Sequence, residues 1–187
     1  MEVPAGGFPQ RSLIQRMIGA AMLDASVYEE VEADRNATGQ AAAVVAIVAI
    51  CGAIGNYSHG GKGIIGGIVA AFIGWLLWSG LTYLIGTKLF GGTADMGEML
   101  RTLGFAQSPG VLGILAFIPI LGWLVAFVVW IWCLVTAVVA IRQALDFDTG
   151  KAVATAVIAG IVVFVVTAAI MAFFIGTAMV VGAATGG

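Results

Sequence analysis

The chain has 187 residues, 61% hydrophobic and only 10% charged, with a formal net charge of −2. Soluble domains carry about 25% charged residues, so this composition excludes an ordinary soluble domain, and the slightly acidic balance lacks the basic footprint that nucleic acid requires. The fold class it predicts is all-α: a polytopic membrane helix bundle, with a cytosolic or interfacial N-terminal region over 1–38 and a five-helix transmembrane domain over 39–187.

In chain order, Pro4, Gly6, Gly7 and Pro9 predict an irregular start, and no cleavable signal peptide is expected. From Ser12, apolar Ile14, Met17, Ile18, Ala21 and Met22 recur at helical spacing, with Ser12, Gln15 and Arg16 opposite. This predicts a short amphipathic helix that either lies among lipid headgroups or packs on the bundle's own end. Ser26 and Glu29 have capping-box spacing and predict a second short helix from Val27. Its acidic run, Glu29, Glu30, Glu32 and Asp34, reads as a solvated face or as a docking surface for a basic partner.

The first span is predicted over 39–55 and the second over 63–88. Between them lies His59, the only histidine, which has no second group with which to build a site. Gly63 and Gly67 stand four residues apart, and Ala70 and Gly74 repeat that spacing, a pattern that lets helix backbones approach closely in lipid. This places the second span centrally in the bundle. Trp75 and Trp78 are too deep for an interfacial belt and should pack against other helices. After Gly91-Gly92, Asp95 is placed to cap a third helix, with Glu98 in its first turn.

From Thr102 to Ile141 no charged side chain occurs. As one helix those residues would be about 60 Å long, against a hydrocarbon core of about 30 Å. The segment must therefore cross, turn and cross back, with the turn at Pro119-Ile120-Leu121-Gly122. This predicts a third span over 97–118, kinked at Pro109, and a fourth over 120–142. Pro109 leaves backbone groups without partners, which Gln107 and Ser108 can serve. Asp148 and Thr149 read as caps for a fifth span over 152–181, which carries a second small-residue stripe at Ala152, Ala156 and Gly160. With the N-terminus inside, Arg11, Arg16, Arg35, Lys88, Arg101, Arg142 and Lys151 all lie inside, and only Lys62 lies outside. That bias predicts a cytoplasmic membrane protein with its C-terminus on the outer side.

Several strings resemble the YIP1 family of five-span membrane proteins. They are Asp34 with Ala37-Thr38-Gly39-Gln40, Gly91-Gly92, Arg101 to Pro109, Trp132, and Lys151-Ala152. The short N-terminus is similar to the prokaryotic branch. The resemblance implies a five-span bundle. Some eukaryotic relatives bind Rab-type GTPases, but they carry a longer cytosolic region with an Asp-Leu-Tyr-Gly-Pro string that this chain lacks, which puts GTPase binding in doubt.

No HExxH, GxSxG, Walker A or dinucleotide fingerprint occurs, and Asp148-Thr149-Gly150 has no second triplet with which to form an aspartic-protease pair. Cys51 and Cys133 lie in apolar runs and read as small hydrophobes. No catalytic residue, metal site or cofactor is expected. The candidate polar cluster is Glu98, Arg101, Gln107 and Ser108, in which Glu98 and Arg101 share a helix face and could pair. These features predict a non-catalytic scaffold, adaptor or accessory subunit with protein partners in the bilayer or a second copy of itself. The alternative is a small transporter or channel built on the kinked third helix.

Overall fold

The computed structural model describes residues 11–56, 64–118 and 121–185. The predicted irregular start, His59, Lys62, Gly63 and the Pro119 end of the turn lie outside the described residues. Within them the regular structure is all helical, with no strand. Its elements are α1 (Leu13–Ala21), α2 (Ala25–Ala33), α3 (Ala37–Gly55), α4 (Ile64–Phe90), α5 (Met96–Ala106), a 3-10 segment (Ser108–Phe117), α6 (Gly122–Ala144) and α7 (Thr149–Thr185).

Four of these helices are long and apolar enough to cross a membrane: Ala37–Gly55, Ile65–Phe90, Gly122–Ala144 and Thr149–Ala178. The expected third span over 97–118 is not a single kinked α-helix. The α-helix stops at Ala106, and the chain continues as successive 3-10 turns. The reason is local. Pro109 has no N–H to give the Phe105 carbonyl, and Gly110 and Gly113 follow at once, so the i→i+4 ladder cannot close. The tighter i→i+3 bonding takes over, with the Gly110 N–H donating to the Gln107 carbonyl at 2.8 Å.

The chain does double back. A Cβ on Gly122 would collide with the Ala116 carbonyl oxygen, and fourteen residues on, Thr136 Oγ1 donates to the Ala106 carbonyl at 2.6 Å. Moving forward along α6 thus means moving backward along the 3-10 segment, which makes the pair antiparallel. Glu98 and Arg142 accordingly line the same cleft, so the two ends of the uncharged segment meet.

The centre of the bundle is α5 rather than the predicted second span. It touches α1, α2, α3, α4 and α6, and every residue from Arg101 to Ala106 is buried. Gly104 allows this: a Cβ there would sit 2.7 Å from the Ala41 Cβ of α3, so the two backbones cross at close range. Trp75 is buried and its indole N–H donates to the Leu100 carbonyl of α5 at 3.1 Å, and Trp78 packs against the same core. By contrast α7 packs on α4 and α6 through Ala152, Thr155 and Ala159, and leaves most of its length exposed.

Candidate functional site at the charged end

Helices α1 and α2 form a polar layer over one end of the bundle. Ser12 and Gln15 cap α1 reciprocally, the Ser12 hydroxyl accepting from the Gln15 N–H and the Gln15 side chain accepting from the Ser12 N–H. Asp24 caps α2 by accepting from the Ser26 N–H at 3.0 Å. The helix therefore begins at Ala25, not at Val27 behind a Ser26 cap. The Ser26 hydroxyl also donates to Asp24, which holds that carboxyl below its ordinary value.

Arg16 points inward from α1 and is 5% exposed. Its Nε donates to Glu30 Oε1, Nη1 to Gln40 Oε1 and Nη2 to Asp34 Oδ2, each at 2.9 Å. Glu30 is 2% exposed and takes Arg11 Nη1 on its other oxygen at 2.9 Å. Buried charges persist only when paired and hydrogen-bonded, and every heavy donor or acceptor of this Arg16–Glu30 pair is used. The acidic run is therefore not simply a solvated face, because Glu30 and Asp34 point into the layer.

One side chain ties the layer's two helices together, and two more fasten it to the bundle by donating to carbonyls that a helix leaves open at its C-terminus. Tyr28 Oη donates to the Ala20 carbonyl at 3.0 Å, and burial pushes its hydroxyl above the ordinary value. Trp132 Nε1 of α6 donates to the Ala21 carbonyl at 2.7 Å. Arg101 of α5, 5% exposed, donates through Nε to the Val31 carbonyl at 2.9 Å and through Nη2 to that of Glu32. A cation at the end of α2 also faces the negative pole of that helix.

The predicted cluster of Glu98, Arg101, Gln107 and Ser108 is thus not one site. Glu98 completes a capping box with Asp95, its N–H donating to Asp95 Oδ1 at 2.8 Å and its Oε2 accepting from the Asp95 N–H at 2.7 Å. It forms no ion pair with Arg101 among the described residues, because Arg101 is turned to α2. Ser108 Oγ donates to the Phe105 carbonyl, the acceptor Pro109 leaves open, at 2.6 Å. Gln107 is half-buried and lines a separate cavity of about 390 Å³ with Trp75, Trp78, Trp130 and Cys133.

The structure separates the two predicted packing stripes. Ala152 is buried, Ala156 packs against the core, and a Cβ on Gly160 would lie 3.9 Å from Trp78. Gly67, Ala70 and Gly74 are exposed, and a Cβ on either glycine would meet nothing within 4 Å. Lipid and protein interior are both apolar, so the small-residue spacing marks a surface that permits close approach without saying which way it turns.

Sequence reasoning also missed an acidic cleft of about 540 Å³ between α2, α5 and the α6–α7 turn, lined by Glu29, Glu32, Glu98, Arg142, Gln143 and Asp146. Gln143 Nε2 donates to Glu29 Oε1 at 3.2 Å, and Thr93 Oγ1 to Asp146 Oδ2 at 2.9 Å. Burial first, then the carboxylates of Glu98, Asp146 and Glu29, push Glu32 up to about 7, against the opposing pull of Arg101. The signal was present as three acidic segments, but residues 98 and 146 are brought together only by the hairpin, and residue 29 only by the packing of α2 on α5 and α6.

Four helices long and apolar enough to cross a membrane, under a bonded polar layer, define a multi-pass α-helical membrane protein. Over residues 24–184 the chain matches the Yip1 domain, and it belongs to that family. No curated protein and no solved structure matches it.

Proposed function

We propose that the chain is a non-catalytic membrane adaptor, or an accessory subunit of a larger membrane complex, whose acidic cleft docks a basic segment of a partner protein. One observation carries this reading. Three of the four polar groups predicted for a transport path are bonded to backbone, Arg101 to α2, Ser108 to Phe105 and Glu98 to its own cap, while Glu29, Glu32 and Asp146 line an open cavity. The lack of catalytic fingerprints in the sequence supports a non-enzymatic role.

The topology we infer has five crossings in a cytoplasmic membrane. As the third, α5 and the 3-10 segment together extend about 36 Å, enough for a core of about 30 Å. Contacts along the chain support the basic residues sharing one end. Arg11 and Arg16 bond to Glu30, Arg101 bonds to α2, Arg142 lines the cleft, and Lys151 lies over the Phe147 ring. That end is then cytoplasmic, which puts the N-terminus inside and the C-terminus outside.

The test is cross-linking in native membranes followed by capture in mild detergent, with wild type and the Glu29→Lys/Asp146→Lys variant. A defined partner should be held by the first and lost by the second. Recovery of the wild type as a lone chain across several mild detergents would sink the reading. Gln107 at its tryptophan-lined cavity favours a second reading, a small-solute or ion transporter. That reading requires liposome flux that Gln107→Ala or Glu98→Gln abolishes.

A further inference from the structure

The apolar face of α1 turns away from the protein. Ile14, Ile18 and Met22 are 68%, 56% and 72% exposed, while the polar side of the helix is drawn inward by Arg16. Beneath that face runs a groove of about 800 Å³, between α1, the start of the 3-10 segment and α6, with Met17, Leu23, Leu112 and Trp132 among its walls. Its size falls within the range of about 300–1,000 Å³ typical of small-molecule sites.

We propose that this groove retains one acyl chain of a bilayer glycerophospholipid, with α1 lying at headgroup depth above it. Two of the groove's lining side chains, Ser108 and Trp132, carry hydrogen-bonding groups, and both are already bonded, Ser108 Oγ to the Phe105 carbonyl and Trp132 Nε1 to the Ala21 carbonyl. An occupant that needs hydrogen bonds, such as a peptide backbone, finds no free side-chain partner there, whereas a hydrocarbon chain needs none. The walls at Ile47, Val111 and Leu112 continue into the exposed apolar surface at Leu115 and Phe117, so the groove opens on the face that meets lipid.

Leu23 adds an independent observation. It closes α1 with a φ of 63°, a left-handed conformation that glycine adopts freely and leucine does not. A glycine would serve the turn better, and what the leucine supplies is an apolar wall to the groove. Substituting it therefore separates a folding role from a binding role.

The experiment uses the full chain in phosphatidylethanolamine–phosphatidylglycerol vesicles containing phosphatidylcholine with a diazirine at the end of one acyl chain. The protein is extracted in mild detergent, freed of loose lipid and then photolysed. Label should concentrate at residues 13–23 and 108–112, about tenfold above the exposed stretch 161–170 of α7. Leu23→Gly should lose that label while its melting temperature holds or rises, and Ala21→Trp should lose it by filling the groove. Three results would overturn the proposal: label spread evenly over α7 and the groove, retention of label in Leu23→Gly, or labelling by a diazirine fatty acid but not by the phospholipid. Cross-links from the groove to a second copy of the chain would overturn it equally.

Discussion

At the charged end, Arg16, Glu30 and Arg101 are nearly buried and bonded to partners 14 to 70 residues away in sequence. On α4, Gly67, Ala70 and Gly74 carry a regular packing signal, and they face outward with open space beside the two glycines. Charges are expensive to desolvate, so wherever they are buried the chain must supply partners for them. Small apolar residues carry no such penalty on either side, since lipid and protein interior solvate them alike. The polar region is therefore held in one arrangement, and the glycine face stays open to several.

The largest expected effect breaks the first half of that contrast. Arg16→Met leaves Glu30 buried with Arg11 alone, and removing one partner of a buried pair costs about 3–5 kcal/mol. The remaining Arg11 bond puts the expected loss near 3 kcal/mol, read as lost hydrogen-exchange protection across α1 and α2. The double variant Arg16→Met/Glu30→Met should recover most of it, because no uncompensated charge remains. A single variant as protected as wild type would show that the polar layer is held by packing alone.

How much was legible in the sequence follows the same division. Most signals that act within one turn of the chain were readable, although the Ser26–Glu29 spacing was not a cap, Asp24 taking that place. Asp95 and Glu98 do cap α5, the Asp148 carboxylate does accept from the Lys151 N–H at 3.0 Å, and Ser108 does serve the carbonyl that Pro109 leaves open. The doubling back of 102–141 was also legible, because an uncharged segment of that length exceeds the bilayer thickness. The conversion of the third span to 3-10 turns was not, although Pro109, Gly110 and Gly113 stand in the sequence. Nor were the partners of Arg16 and Arg101. Helical spacing pairs neighbours on one helix, and nothing local indicates that an arginine will reach backbone carbonyls on another.

A smaller effect sharpens the contrast through pH. Glu32 in the folded chain sits at about 7, against 4.5 ordinarily, because burial and then Glu98, Asp146 and Glu29 disfavour its charge. A carboxyl raised in this way holds its proton longer folded than unfolded. Its contribution to stability is full below 4.5 and is lost as pH rises through about 7. Glu32 is only half-buried, so solvent screening reduces the effect to about 1 kcal/mol. Thermal unfolding in detergent should show wild type losing stability between about pH 5 and about pH 8, with Glu32→Gln losing less. Parallel curves for the two would place the carboxyl in open water.

The smallest effect is expected where the glycine face is open. Gly74→Leu adds a side chain where nothing lies within 4 Å, so it exchanges lipid contact for lipid contact. The extracted monomer should keep its melting behaviour to within about 0.5 kcal/mol. The same helix gives the internal control: at Gly86 a Cβ would collide with Leu145, and Gly86→Leu should unfold readily. If Gly74→Leu leaves the monomer intact and abolishes self-association in mild detergent, the open face is a contact between copies of the chain. If it destabilises the monomer as Gly86→Leu does, α4 is turned inward there, and the contrast with the charged end fails.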